Sequence, residues 1–285
     1  MTICEIFRKQ AAFTWNILRQ AREIEDQMSE ETLTEMNLLR LKLSHPTEVI
    51  TKSFSKYDES TNGADWEWWF TGSTNKWIGF RVQAKVLNLA DETYNHLHYK
   101  NTKHHQYQCD KLIESALSRQ KPLIPIYCLY SNWEAQKYKF RSSASPARQS
   151  VRDYGCSILS AFVVRYLRYN NKKRDLETVI QHIKPWHSLV CKTNKSRSNK
   201  KDLPNRVYDY WKGSIAPIEG RVLRQLNPEE RQVLFERHGR EPSFYGDILP
   251  TYDPPDYIRR LNSGEKIPPP DEEIRYITIF RETDA

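Results

Sequence analysis

The spacing of apolar residues predicts two helices at the start of the chain. Residues 3–25 repeat apolar side chains at helical spacing, which predicts an amphipathic helix. A second helix begins at Ser29, where the Ser-Glu-Glu-Thr sequence is typical of an N-cap followed by an acidic first turn. Pro46 ends this helix, because proline cannot continue the helical hydrogen-bond pattern.

Three strand-like segments follow the second helix. They are rich in β-branched and aromatic residues, are bounded by turn-forming residues, and span 48–54, 63–70 and 77–87. We expect them to pair as an antiparallel meander. A helix over 105–119 and a short apolar strand over 123–130 come next. The predicted order is therefore helix, three strands, helix, strand, which is an α/β fold with added helices.

The second half of the chain has a weaker pattern. Residues 151–169 are predicted as one long helix, and 176–183 as a shorter one. Beyond residue 190 the chain is basic and rich in proline, so we expect loops and one helix over 228–238. The predicted division is a core with its N-terminal helix at 1–190 and an extension at 191–285 that packs on or flanks that core.

Composition and charge narrow the class of protein. Of the 285 residues, 38% are hydrophobic and 12% aromatic, which excludes a disordered or fibrous chain. The net charge of +8 favours a polyanionic partner such as nucleic acid, although ordinary basic solubility explains it equally well. No apolar run approaches the roughly 20 residues of a membrane span or resembles a signal peptide. We therefore expect a cytoplasmic protein with no membrane partner.

The five cysteines are odd in number and widely spaced in the sequence. This distribution supports neither a disulfide framework nor a zinc site. We expect reduced thiols at Cys4, Cys109, Cys128, Cys156 and Cys191.

Two of the predicted strands place polar side chains on one sheet face. Successive side chains alternate across a strand, so Asp65 shares a face with Glu67, and Gln83 shares one with Lys85. If the two strands pair as a hairpin, two carboxylates, an amide and an ammonium converge. Such a set suits Mg²⁺ or Mn²⁺, held by Asp65, Gln83 and Glu67, and the hydrolysis of a phosphodiester bond.

Each residue of this hypothetical site has an expected role. Lys85 would orient or deprotonate the attacking water and offset charge on the phosphate, and a glutamate of the second helix, Glu31 or Glu35, would add a catalytic ligand. The alternative is that these polar residues form only the solvent-exposed face of two strands.

The residues resemble the active-site motif of the PD-(D/E)xK, or restriction-endonuclease-like, nuclease superfamily. Its core runs helix, three strands, helix, strand, with an acid on the second strand and (E/Q)xK on the third. Asp65 and the Gln83-Ala84-Lys85 sequence match this pattern as a QxK variant, and the resemblance covers residues 29–130. It implies a magnesium-dependent endonuclease that acts on DNA, with a part in bacterial antiviral defence. Cleavage of both strands of a duplex would favour a homodimer.

The resemblance departs from the commonest pattern at one position. Gln83 replaces a glutamate and removes one negative charge, which weakens metal binding unless another acid compensates. The alternative function is therefore a catalytically inactive nucleic-acid-binding or adaptor protein with the same fold. A purely structural scaffold, a third hypothesis, predicts no salt-dependent affinity for nucleic acid.

Over most of its length the chain is also similar to an uncharacterised family of bacterial proteins. The shared features are a GADWEWWF…VQAK signature, a helix over 108–113 and a PW…LVC segment over 185–191. That likeness implies no established activity.

Further polar residues are candidate contacts to nucleic acid. Gln108 begins the helix after the third strand, where it either points at the site or is an ordinary polar residue of a helix N-terminus. Lys192, Lys195 and Arg197 either follow a phosphate backbone or belong to a solvated loop. Four histidines are interpreted as surface residues that could lie near phosphate: His96, His98, His104 and His105.

Overall fold

A mixed, open sheet of seven strands with helices packed against it forms the core of the protein, as the computed structural model shows. The α/β class expected from the sequence is therefore confirmed. The structure describes residues 1–54, 66–102, 105–134, 136–138, 150–192, 201–226, 228–229, 248–271 and 274–282.

The helices are α1 (Ile3–Glu23), α2 (Glu30–Ser44), α3 (Gln108–Leu117), α4 (Ala161–Tyr169), α5 (Leu176–Val179), α6 (Leu203–Tyr210), α7 (Ala216–Arg224) and α8 (Asp256–Asn262). The strands are β1 (Val49–Ser53), β2 (Trp66–Thr71), β3 (Trp77–Val86), β4 (Lys100–Asn101), β5 (Gln106–Tyr107), β6 (Ile124–Tyr130), β7 (Cys156–Ser160), β8 (Lys184–Pro185) and β9 (Tyr276–Arg281). Short 3₁₀ turns span Val151–Gly155 and Trp186–Leu189, and a π-helical turn spans Trp211–Ile215.

The middle of the sheet follows the predicted order of elements. Strands β2 and β3 form an antiparallel pair, with Trp66 opposite Val82 and Glu67 opposite Arg81. Helix α3 packs on β3 and β6 and joins them, so that β3 and β6 run parallel. The predicted hairpin and the helix that follows it are therefore confirmed.

The predicted three-strand meander is wrong at its first pair. Strand β9 lies between β1 and β2, antiparallel to β1 and parallel to β2, so these two strands do not pair with each other. Three β9 side chains, Ile277, Ile279 and Phe280, are fully buried. Burial of side chains on both faces and backbone hydrogen bonds along both edges stabilise β9 in this position. Pairing between segments this far apart in sequence leaves no local signal.

The C-terminal extension contributes to the core sheet. The sequence pattern predicts loops for most of residues 191–285, yet this stretch supplies β9 and helices α6, α7 and α8. Helix α6 packs against β2 and β3. The predicted helix over 228–238 lies outside the described residues, apart from positions 228 and 229.

The single helix predicted over 151–169 is also wrong. A 3₁₀ turn leads into β7, which pairs with β6, and only then does α4 begin, with the Ser160 hydroxyl accepting from the Phe162 N–H at 3.1 Å. A short apolar run is compatible with a buried strand as well as with a helix. Hydrogen bonding to β6 makes this segment a strand. Gly155 permits this arrangement because a Cβ there would lie 2.0 Å from the Ala11 carbonyl oxygen of α1. The predicted helix over 176–183 is shorter than expected, ending as α5 at Val179.

The two N-terminal helices begin as the sequence predicts. Thr2 and Glu5 form a capping box on α1, and the Ser29 hydroxyl accepts from the Thr32 N–H at 3.1 Å on α2. Helix α1 packs on the apolar face of β2, where Phe7 lies 6.1 Å from Trp68 between ring centroids. The opposite face of β2 and β3 is left for polar side chains. In the part of the chain described, no helix combines the length and apolar character needed to cross a bilayer.

The expectation of five reduced thiols is wrong for two cysteines. Cys4 and Cys191 form a disulfide that links α1 to the segment after the Trp186–Leu189 turn. The cysteines are 187 residues apart, and the Trp186 indole N–H donates to the Phe7 carbonyl at 2.7 Å, holding the two segments together. Cys109, Cys128 and Cys156 are free and buried. Only tertiary packing creates this pair.

Glu219 of α7 is a buried carboxyl group that has no ion-pair partner among the described residues. Its side chain is 1% exposed, and within the described residues it makes no ion pair. The Ser160 hydroxyl donates to its Oε1. Burial raises the pKa of Glu219 to about 8, and the Ser160 hydrogen bond offsets this only in part. The folded protein therefore holds Glu219 protonated at neutral pH.

Reduction of the Cys4–Cys191 disulfide is expected to lower the free energy of unfolding. A cross-link over a long loop restricts the unfolded chain and is worth up to about 5 kcal/mol. Urea unfolding with and without dithiothreitol measures the effect. The double variant Cys4→Ser/Cys191→Ser is the control. Its free energy of unfolding should equal that of the reduced wild type and should not change when dithiothreitol is added. An unchanged unfolding midpoint in reduced wild type would contradict the expectation.

The Glu219→Gln variant is expected to be more stable than the wild type at about pH 8. The unfolded carboxyl titrates near 4.5 and the folded one near 8, so the folded state binds more protons between these values. The free energy of unfolding then falls as pH rises through this window, by at most about 1.4 kcal/mol per pH unit. Urea unfolding across the window tests this, with exposed Glu134→Gln as control. Parallel pH profiles of wild type and Glu219→Gln would disprove it.

Candidate functional site

A cavity of about 690 Å³ opens where the start of α2, the end of β3 and the start of α3 meet. Gln83 and Lys85 of β3 both line it, and so does Gln108 of α3. The sequence predicts a shared face for Gln83 and Lys85, and both lie on the same cavity wall. Gln108, the first residue of α3, is buried and faces the same cavity, which fits the interpretation that it points at the site.

The alternation of β3 sets the position of these side chains. Val82 and Ala84 pack in the core on one face, at 0% and 1% exposed, so Gln83 and Lys85 project from the other. Gln83 is nevertheless 2% exposed and Lys85 4%. The interpretation as a solvent-exposed strand face is therefore wrong for these two residues, because helices cover that face.

The Lys85 ammonium is paired with a carboxylate that the sequence analysis missed. Lys85 Nζ lies 3.0 Å from Glu30 Oε2, where Glu30 is the first residue of α2. A buried ammonium is costly without a partner, and a carboxylate is favoured at a helix N-terminus. The available signal was the acidic first turn after Ser29, which contains both Glu30 and Glu31.

The two candidate glutamates of α2 differ in their surroundings. Glu31 lines the cavity, and its Oε1 lies 3.3 Å from Arg275 Nη1. Glu35 is not part of the lining and accepts from the Tyr276 hydroxyl at 2.7 Å. Burial, and then the hydrogen bond to Glu35, raises the pKa of Tyr276. Arg275 and Tyr276 both line the cavity, so the C-terminal part of the chain completes a site that the sequence placed in residues 29–130.

Glu67 lies away from the cavity, in a buried ionic cluster. Its Oε1 is 3.1 Å from Arg119 Nη1 and 3.5 Å from Arg81 Nη1. Its Oε2 accepts from the Tyr257 hydroxyl at 2.8 Å and from the Trp69 indole N–H at 2.9 Å. Two guanidinium groups thus neutralise this fully buried carboxylate. The structure does not bring it to Gln83 and Lys85, and the predicted metal-binding role of Glu67 does not fit its surroundings.

The same cluster anchors the C-terminal segment beneath the sheet. Asp271 pairs with Arg81 at 2.9 Å and also accepts from Arg119. Burial, followed by the charge of Glu67, raises the pKa of Tyr257. Removing one partner from such a buried set typically costs about 3–5 kcal/mol, because an uncompensated charge remains. The role of this cluster is therefore to stabilise the folded structure.

Several predicted site residues lie outside the described part of the chain. Asp65, the expected main metal ligand, is one of them; in sequence it directly precedes Trp66, whose partner Val82 directly precedes Gln83. Lys195, Arg197 and His104 are also outside it. Lys192 is described, is exposed and is not part of the cavity lining.

The histidines of the loop after β3 are placed differently from one another. His96 is exposed and lines the cavity, together with Asn95 and Tyr99 of the same loop. His98 lies beside this lining, with its ring Nε2 at 2.8 Å from the Lys173 carbonyl oxygen. No local sequence pattern distinguishes these two residues.

The cavity combines oxygen donors with cations. Glu30 and Glu31 supply carboxylates, and Gln83 and Gln108 supply buried amides. Oxygen donors of this kind suit a hard divalent cation such as Mg²⁺. Across the described ranges, however, no three His, Cys, Asp or Glu side chains are grouped closely enough to hold a metal ion. A metal site here would need a further carboxylate.

Comparison with known proteins identifies a family but no activity. Neither the curated proteins nor the solved structures contain a match to this chain. One protein family matches residues 3–285, and its description is a family of unknown function, DUF6615. The match spans nearly the whole chain, including β9 and every residue of the cavity lining. The protein therefore belongs to the DUF6615 family.

Proposed function

We propose that this protein is a Mg²⁺-dependent nuclease that hydrolyses phosphodiester bonds in DNA, with its active site in the cavity beside β3. The observation that carries the proposal is the shared position of Gln83 and Lys85 in that cavity, with Glu30 and Glu31 of α2 in the same lining. An amide, an ammonium and two carboxylates in one concave site are suited to phosphoryl chemistry.

The order and pairing of elements support the proposal. Helix α2, the antiparallel β2–β3 pair, helix α3 and the parallel strand β6 resemble the restriction-endonuclease-like core. The insertion of β9 between β1 and β2 departs from the expected meander. That departure lies on the far side of β2 from Gln83 and Lys85, so it leaves the β3 side of the proposed core intact.

The donor set suits Mg²⁺ if Asp65 completes it. Asp65, Glu31 and the Gln83 amide oxygen would hold the ion. When bound, the ion would polarise the phosphate and lower the pKa of a water molecule. The requirement for Asp65 is specific, because the described residues alone supply too few grouped acids. Glu30, by contrast, is already engaged with Lys85.

Lys85 would bind the scissile phosphate. Its ammonium is buried on a central strand, and the 3.0 Å contact with Glu30 holds it at the cavity wall. A charge fixed in a site with little water interacts more strongly with developing negative charge than one in bulk solvent. Lys85 therefore can offset charge on the phosphate and orient the attacking water.

A second candidate function has its own support. The Lys85–Glu30 ion pair and the neutral Gln83 both fit a protein that keeps the fold and binds nucleic acid without cleaving it. The two functions differ in their need for metal. A nuclease binds Mg²⁺ through Asp65, whereas a binding module holds nucleic acid equally well without it.

Lys85→Met is expected to slow cleavage of plasmid DNA by about 100-fold or more, since it removes the charge that stabilises the transition state. Methionine keeps the linear apolar stem, so packing on β3 is preserved. Cleavage is followed on agarose gels with Mg²⁺ present, and folding is checked by circular dichroism. Lys52→Met on β1, which is not in the cavity lining, is the control and should cleave at the wild-type rate. Equal cleavage by Lys85→Met would remove the basis of the proposal.

Asp65→Asn and Glu31→Gln are each expected to weaken Mg²⁺ binding, because each removes a negative charge from the proposed ligand set. Isothermal titration calorimetry with Mg²⁺ or Mn²⁺ measures the affinity. Asp58→Asn, a substitution of a nearby acid in the sequence, serves as the matched control. Metal affinity that is unaffected by Asp65→Asn, combined with metal-independent DNA binding, would favour the non-catalytic function.

A further inference from the structure

Three consecutive cations follow helix α4 and are exposed. These exposed residues, Lys172, Lys173 and Arg174, are named here the basic turn. The backbone at Asn171 and Lys172 is left-handed, with φ of 55° and 53°. Each such residue costs about 1 kcal/mol, and two in succession reverse the chain sharply. The turn therefore presents three positive charges within a short stretch of backbone.

The basic turn is attached to the loop that lines the cavity. The Tyr94 N–H donates to the Arg174 carbonyl at 2.9 Å, and Arg174 Nη1 donates to the Asn95 carbonyl at 3.2 Å. The His98 ring lies 2.8 Å from the Lys173 carbonyl. Asn95 is itself part of the cavity lining. The turn thus borders the cavity, and its position relative to the lining is fixed by hydrogen bonds.

Further cations lie close to the turn. Burial, and then repulsion by Arg168, Arg174 and Lys172, lowers the pKa of His98. Arg168 and Arg165 both contact the Asp110 carboxylate, at 2.8 Å and 2.7 Å. An excess of cations next to a cavity raises the local concentration of anionic ligands.

The nearest acid offsets only part of the charge of the turn. Asp175 directly follows Arg174, and its Oδ1 accepts from the Thr178 N–H at 2.8 Å and caps α5. Against the effect of burial, the hydrogen bonds to Thr178 and the charge of Lys173 lower the pKa of Asp175, so one carboxylate stands beside three cations. Among the described residues, Lys172, Lys173 and Arg174 make no ion pair. Cations beyond a helix C-terminus often balance the helix dipole, but that effect is confined to the last turn. It accounts for Arg168, in the last turn of α4, and leaves the three cations of the basic turn unexplained.

We infer that the basic turn, with Lys172, Lys173 and Arg174, binds the phosphate backbone of the nucleic acid whose scissile bond enters the cavity. This inference rests on the proposed function and names the surface that holds the substrate outside the catalytic residues. It differs from the sequence-based expectation, which assigned backbone contacts to Lys192, Lys195 and Arg197. Lysine and arginine side chains serve here as point charges for successive phosphates, with no base recognition.

The test is binding of a fluorescein-labelled duplex DNA oligonucleotide, measured by fluorescence anisotropy at several salt concentrations with EDTA to prevent cleavage. The variant Lys172→Gln/Lys173→Gln is expected to bind about 10-fold more weakly or worse at low salt. The slope of log affinity against log salt should shrink by about 2, since each lost phosphate contact removes about 0.9. The Arg174 contact to Asn95 stays intact in this variant.

The matched control removes the same charge elsewhere. Lys212 and Lys266 are exposed and absent from the cavity lining, so Lys212→Gln/Lys266→Gln should bind as the wild type does. The inference is overturned if the turn variant binds as wild type, if the control loses as much affinity, or if wild type shows no salt-dependent binding. If plasmid cleavage depends on Lys85 but the turn variant has the same salt slope as the wild type, only the inference about the turn is overturned. If DNA binding depends on the turn but no cleavage occurs, the proposed nuclease function is overturned and the inference about the turn stands.

Discussion

The insertion of β9 between β1 and β2 is the constraint on which the rest of the structure depends. Its backbone pairs on both edges, and its Ile277, Ile279 and Phe280 side chains close the core on both faces. Because β9 begins at Tyr276, the same pairing delivers Arg275 and Tyr276 to the cavity beside α2. A strand from the end of the chain therefore holds the sheet together and completes the candidate site.

One polar sheet face serves two purposes along its length. At Glu67 and Arg81 it is closed by Arg119, Asp271 and Tyr257, and the charges cancel inside the protein. Two residues further along β3, the face opens to the cavity, where the Lys85 ammonium faces Glu30. Alternation along the strands produces both regions, and the elements packed on top decide which becomes internal and which is accessible. The cavity lies next to the basic turn after α4, so accessible polar groups and positive surface meet at one side of the molecule.

Local patterns allowed the neighbourhood of the site to be predicted. The cap at Ser29, the antiparallel β2–β3 pair and the common face of Gln83 and Lys85 depend on residues within short reach of one another. Glu30 was missed because helical spacing does not show which residue of an acidic first turn reaches a given lysine. The pattern over 151–169 predicts one helix where the structure has β7 and α4, because a short apolar run does not distinguish a buried strand from a helix.

The sequence by itself determined the α/β class, the two N-terminal helices, the hairpin and the polar pair on β3, because each follows from capping, alternation or apolar spacing within one segment. Tertiary structure alone decided the place of β9, the Cys4–Cys191 pair, the neutralisation of Glu67 and the approach of the basic turn to the cavity. These depend on contacts between segments far apart in the chain. Their energy comes from burial and charge pairing that exist only once the chain has folded.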